Sequence, residues 1–152
     1  MDVLPIIFIG LGLFCMAGLS GIASAIGCVI AGNAVVGAIK KRPEVFGPCL
    51  VTAALPSSHG LIGFVVFIMY QGVVKHDMGL FGAVIVFAAG LIFGCTTLFV
   101  AIKQAQVVSS GINAMGSGAN TFAPTLILAV FPELYTILAF VITVMMQGLI
   151  TK

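Results

Sequence analysis

The chain has 152 residues, of which 61% are hydrophobic and only 7% charged. A soluble core of this size does not need that much apolar surface, whereas apolar runs of roughly 18 residues or more read as membrane-spanning helices. A net charge of +2 without an extended basic tract excludes nucleic acid as a partner, and little sequence remains for a soluble domain.

The first predicted span runs from Val3 to Ile39. It has no basic segment before it and is too long for the apolar core of a signal peptide, so it is read as a retained helix. Gly10, Gly18, Gly21, Gly27, Gly32 and Gly37 recur along it, with Ala23, Ser24 and Ala25 between them. Small residues at these spacings let backbones approach closely, either within one bundle or in an inner ring of helices from many copies. The loop Lys40-Lys41-Arg42-Pro43-Glu44 ends this span, and its cluster of positive charge marks the cytoplasmic side. The second span is expected from Phe46 to Val74, followed by the turn Lys75-His76-Asp77-Met78-Gly79. The third runs from Leu80 to Met115 and ends in a small polar loop over residues 116–121. The fourth continues to the C-terminus, almost wholly apolar from Pro124 to Ile150. Gly and Pro near these breaks are the expected punctuation. Spans one and three exceed the length that crossing requires, so they should project on one side. Four crossings place the loops near 40–45 and 116–121 in the cytoplasm and both termini opposite. Cys15, Cys28, Cys49 and Cys95 lie in or beside apolar runs without metal-ligand spacing, and read as small buried hydrophobes.

The chain is also two copies of one hairpin. A shift of 76 residues places Gly18 on Gly94, Phe46 on Phe122, Pro48 on Pro124, Pro56 on Pro132, Gln71 on Gln147 and Gly72 on Gly148. Apolar matches are common between membrane segments, but Pro, Gly and Gln matches are not. The expected fold is therefore an all-α membrane protein of four transmembrane helices in two tandem hairpins, residues 1–76 and 77–152. Two spans per repeat make the repeats parallel, which argues against the inverted-repeat transporter plan.

Glu133 stands out against this background. No other acid lies inside a hydrophobic run: Asp2, Glu44 and Asp77 fall at the N-terminus or in connections. A carboxylate at membrane depth is costly unless neutralised, paired or bound to a cation, so it points to an ion pathway; the plainer alternative is a protonated Glu that only hydrogen-bonds a neighbouring helix, a task that Gln would do without the liability. The repeat places Ser57 where the second hairpin has Glu133, so only one hairpin carries the acid. Pro56 and Pro132 each remove a backbone donor and loosen carbonyl oxygens nearby. Gln104 falls at the depth of Glu133 if helices three and four form an antiparallel hairpin. The candidate site is Glu133, Gln104, Ser58 and His59, with a backbone carbonyl near Leu55. Taken alone, Ser58 could bond back to its own helix, Gln104 could serve as an interhelical bond, and His59 could be a satisfied polar residue. Lys103 complicates the site, because it could neutralise Glu133 directly. Adjacent helical residues point roughly 100° apart, so Lys103 and Gln104 should not both face Glu133. Tyr135 is expected to be structural.

The two fused hairpins, the glycine-rich first helix, the Lys-Arg-Pro-Glu loop and the single glutamate resemble the rotor-ring proteolipid of V-type ATPases. This is the K (or c) subunit of the membrane sector, in its duplicated bacterial form. The most specific pieces are Leu55-Pro56-Ser57-Ser58-His59-Gly60, Gln104 with Ser109-Ser110-Gly111-Ile112 downstream, and Pro132-Glu133-Leu134-Tyr135. The resemblance implies a homo-oligomeric ring in a bacterial inner or plasma membrane, with helices one and three inside. It implies that Glu133 binds the transported H+ or Na+, with no other cofactor. A stator subunit would supply half-channels, and a central stalk would meet the cytoplasmic loops. In sodium-carrying members the ligands map to Leu55 (carbonyl), Ser58, His59, Gln104 and Glu133. His59 stands where those members have glutamine, and Ile62 where they have a tyrosine. Both departures favour H+, since imidazole nitrogen suits softer metals than sodium. The chain holds no Gly-rich nucleotide loop, so it is read as a non-catalytic subunit. A small proton-coupled four-helix transporter is the competing reading, but such carriers usually need aromatic residues in a substrate pocket. This chain has no Trp and two Tyr. A purely structural four-helix protein would leave Glu133 unexplained.

Overall fold

The computed structural model describes residues 3–75 and 77–151, so the hairpin boundary expected at residue 76 lies outside the described residues. Every regular element among them is helical: α1 (Val3–Phe14), α2 (Ser20–Lys41), α3 (Phe46–Ala53), α4 (Ser57–Gln71), α5 (Leu80–Gly116) and α6 (Phe122–Gln147). They make four long apolar rods, Val3–Lys41, Pro43–Gln71, Leu80–Gly116 and Phe122–Gln147. The rods of 39 and 37 residues exceed the span of a hydrocarbon layer, about 20 residues, and must project beyond it.

Two rods are less regular than their sequences suggest. The first is interrupted by a π-helical turn over Cys15–Leu19. The Ser20 hydroxyl donates to the carbonyls of Met16 and Ala17, competing with the backbone ladder at that turn. The second is not one helix from Phe46 to Val74. It stops at Ala53, resumes at Ser57 and ends at Gln71. Pro56 has no N–H, and the backbone crosses it with tighter bonds, Ser57 N to Ala54 O at 3.0 Å and Ser58 N to Leu55 O at 3.2 Å. Pro132, its counterpart in the repeat, stays inside the continuous α6. There the Gln104 amide donates to the Ala129 carbonyl at 3.0 Å, one residue after the carbonyl that the proline leaves without its helical donor. The repeat gives the first hairpin Cys28 at that place, which cannot do the same.

Close packing of α1, α2 and α5 sets the core. A Cβ added at Gly90 would overlap the Gly12 carbonyl oxygen, and one at Gly94 would overlap the Cys15 oxygen. Only glycine allows that approach of backbones. Farther along, α5 ends in a turn in which Gly118 takes φ +100° and Ala119 N reaches back to Ala114 O at 3.0 Å. Two apolar clusters fill the bundle. One includes Ala31, Val35, Val108, Ile112 and Ala129; the other includes Met16, Val66, Tyr70, Val86, Phe93 and Ala139. Between them lies a buried polar layer with His59, Gln104 and Thr136. The hairpins are tied at one end by Tyr70 Oη donating to Thr143 O at 2.7 Å and by Gln147 Nε2 donating to Met69 O at 3.0 Å.

Candidate functional site

The polar layer brings α4, α5 and α6 together around Glu133. Gln104 Nε2 donates to Glu133 Oε2 at 2.7 Å. Ser58 Oγ lies 2.7 Å from Glu133 Oε1 and 2.9 Å from the Leu55 carbonyl oxygen. The break at Pro56 makes this possible, because Ser58 sits in the first turn of α4 beside loosened backbone. Leu55 therefore enters through its carbonyl, which bonds Ser58 rather than Glu133. His59 is fully buried. Its Nδ1 lies 3.2 Å from the Pro56 carbonyl oxygen, and its Nε2 stays 3.8 Å from Glu133 Oε2, too far for a hydrogen bond. With Nδ1–H donating to Pro56, Nε2 of the neutral ring is an acceptor.

Glu133 is not sealed. Its side chain keeps 21% exposure and borders an outward-facing groove of about 380 Å³ walled by Val51, Leu61 and Val130. One carboxyl face is thus held by polar groups, while the other looks into this open, largely apolar groove.

Three buried side-chain atoms among the described residues have no hydrogen-bond partner: His59 Nε2, Gln104 Oε1 and Thr136 Oγ1. All belong to residues around Glu133 or one turn from it. Sequence reasoning does not single out Thr136. The one signal for it is its place three residues after Glu133, which puts it on the same helix face.

Lys103 is separate from this cluster. It is exposed, and with Phe99, Val100, Phe131, Pro132 and Tyr135 it lines another groove of about 350 Å³ between α5 and α6. Among the described residues, the only Lys or Arg within ion-pair distance of an acid is Arg42, 2.7 Å from Glu44, so Lys103 does not neutralise Glu133 within the chain.

The arrangement can hold one small cation or one proton. A hydroxyl, a carboxamide and a carboxyl converge at one point, and no group of three His, Cys, Asp or Glu side chains suited to a transition metal occurs among the described residues.

Comparison with known proteins gives three findings. The family described as the C subunit of ATP synthase matches residues 11–70 and again 87–146, two segments that start 76 residues apart. A-type ATP synthase subunit K of Methanocaldococcus jannaschii is 32% identical over 142 residues, covering 93% of this chain and 62% of that protein. V-type sodium ATPase subunit K of Enterococcus hirae is 33% identical over 124 residues, covering 82% of this chain and 80% of that protein. The chain thus spans less than two thirds of the length of the Methanocaldococcus jannaschii relative.

Proposed function

The chain belongs to the family of the ATP synthase C subunit as a duplicated, four-helix integral membrane member, and from that membership we propose that it is an ion-carrying rotor subunit of a V/A-type rotary ATPase. Glu133 is the carrier. Copies of the chain form a ring, a stator subunit supplies two half-channels, and a central stalk meets the cytoplasmic loops. While neutral, Glu133 passes the lipid. Inside a half-channel it ionises, and a stator cation attracts the carboxylate. Loading from one channel and release into the other couples rotation to transport. ATP chemistry belongs to other subunits, since the chain carries no Gly-x-x-x-x-Gly-Lys-Ser/Thr loop.

The transported ion is H+. The observation that carries this reading is the double contact of Ser58 Oγ, 2.7 Å from Glu133 Oε1 and 2.9 Å from Leu55 O. A hydroxyl has one hydrogen. When that hydrogen serves the Leu55 carbonyl, the contact with Glu133 is made by a protonated Oε1 donating to Ser58; were the hydrogen directed at Oε1 instead, Glu133 would be the ionised partner, and substitution of Ser58 separates the two. With Oε1 protonated, Oε2, which accepts from Gln104, is the carbonyl oxygen of the neutral acid. His59 supports the same reading, because it offers nitrogen where a sodium site wants oxygen.

Na+ is the second reading. The Glu133 oxygens, Ser58 Oγ, the Leu55 carbonyl and the unpartnered Gln104 Oε1 are the oxygen donors for it, and one relative is named a sodium ATPase subunit. In either case Glu133→Gln should abolish ion-coupled rotation and leave ring assembly intact, because Gln keeps the shape and neutrality. Normal ion transport by that variant overturns the assignment.

A further inference from the structure

The two hairpins differ most where they have nothing in this chain to pack against. The 76-residue shift maps Phe99, Val100, Lys103, Pro132 and Tyr135 onto Ala23, Ser24, Gly27, Pro56 and His59. The first-hairpin set is covered by the second hairpin. Ala23, Gly27, Pro56 and His59 are buried, and a Cβ at Gly27 would lie 2.7 Å from Pro56 Cβ and 3.2 Å from the Ala101 carbonyl oxygen. The second-hairpin set is bare, with Phe99 68% and Tyr135 62% exposed. The residues that would face it by the same rule are bare too. Ala101 and Glu133, which cover the first set, map onto Ala25 and Ser57, and both are exposed.

The hairpin–hairpin interface therefore continues, in unsatisfied form, at the two ends of the chain. Such head-to-tail faces, repeated from copy to copy, close into a ring where the rotation between copies closes. The continuation is not a copy, however. Gly27 leaves no space for a side chain, whereas Lys103 brings a long one to the equivalent place. At the depth of Glu133 the seam between copies therefore has to take up a long side chain where the seam within a copy has none.

We propose that Lys103 is a seam residue, reaching between neighbouring copies and donating to the acceptors that the next copy's first hairpin presents there, the Ser57 hydroxyl and the Ala25 carbonyl. Within one chain the Ser57 hydroxyl gives its hydrogen to Ala54 O at 2.6 Å, so its oxygen is left as an acceptor. The Lys103 stem covers Phe99 and Pro132, and the amine finds partners that the apolar groove lacks. The same substitutions remove the second ion site: the counterparts of Glu133, Gln104 and Ser58 at the seam are Ser57, Cys28 and Leu134. This inference rests on the ring reading but not on Glu133 as carrier.

Two singly substituted chains, Lys103→Cys and Ala25→Cys, co-expressed with the native cysteines replaced by Ala, provide the test. A short bifunctional thiol reagent applied to native membranes should yield a cross-linked dimer of the two chains, and neither chain alone should yield one. The doubly substituted chain should give a ladder of multimers on a denaturing gel. Cross-linking confined within single chains, or none in assembled rings, overturns the proposal. Lys103→Met keeps the stem and removes the donor. It should lower the temperature at which the ring dissociates in detergent while leaving carbodiimide labelling of Glu133 unchanged. An unchanged dissociation temperature refutes the hydrogen-bonding role, and a change in labelling alone would place Lys103 at the ion site instead.

Discussion

Hydrogen bookkeeping at Ser58 ties the identity of the ion to a single side chain. If Ser58 accepts the Glu133 proton, removing the hydroxyl weakens the neutral acid. One such bond contributes about 1 kcal/mol net, or roughly fivefold in an equilibrium. Ser58→Ala should then slow carbodiimide labelling of Glu133 by about that factor at fixed pH, since the reagent attacks the protonated carboxyl. Faster labelling would mean that Ser58 instead donates to the carboxylate. Glu133 is legible in the sequence because it is the one acid inside a hydrophobic run. Thr136 is not, since a threonine in an apolar helix ordinarily bonds back to its own backbone, as Thr143 does to Ala139 O at 2.7 Å. Only the fold reveals that the Thr136 hydroxyl has no such partner.

Among the helices, glycine contacts decide whether α1 and α5 can meet. Gly90→Ala places a methyl against the Gly12 backbone, where no flexible side chain can yield. Overpacking of this kind costs about 1–3 kcal/mol and should lower the temperature at which the ring dissociates in detergent. Gly10→Ala, with nothing within 4 Å in the single chain, is the control and should lower it less. Equal effects would remove this contact as the reason for glycine at position 90. The four rods and their order can be read from hydropathy, and the hairpins from the repeat. The irregularities cannot. Pro56 and Pro132 look alike in sequence, yet one divides its rod and the other does not, and beside Pro132 the Gln104 amide of a different helix bonds the Ala129 carbonyl. The π-helical turn at Cys15–Leu19 likewise depends on where one serine hydroxyl points.

Across the whole molecule, the polar layer between two apolar clusters puts Glu133 midway along the bundle and leaves one side of it open at the bundle's outer surface. The positive cluster Lys40, Lys41 and Arg42 sets the proposed orientation. Cysteines introduced there should react with impermeant reagents only from the cytoplasmic side, and labelling from outside would invert that topology. The proposed function stands on one protonated glutamate per chain as the cargo site. The rate at which a hydrophobic carbodiimide labels Glu133, at fixed pH, with and without millimolar Na+, measures this site itself. Na+ should not slow the labelling at any pH tested. Strong protection by Na+, growing as the pH rises and protons become scarce, would contradict the assignment and make Na+ the transported ion.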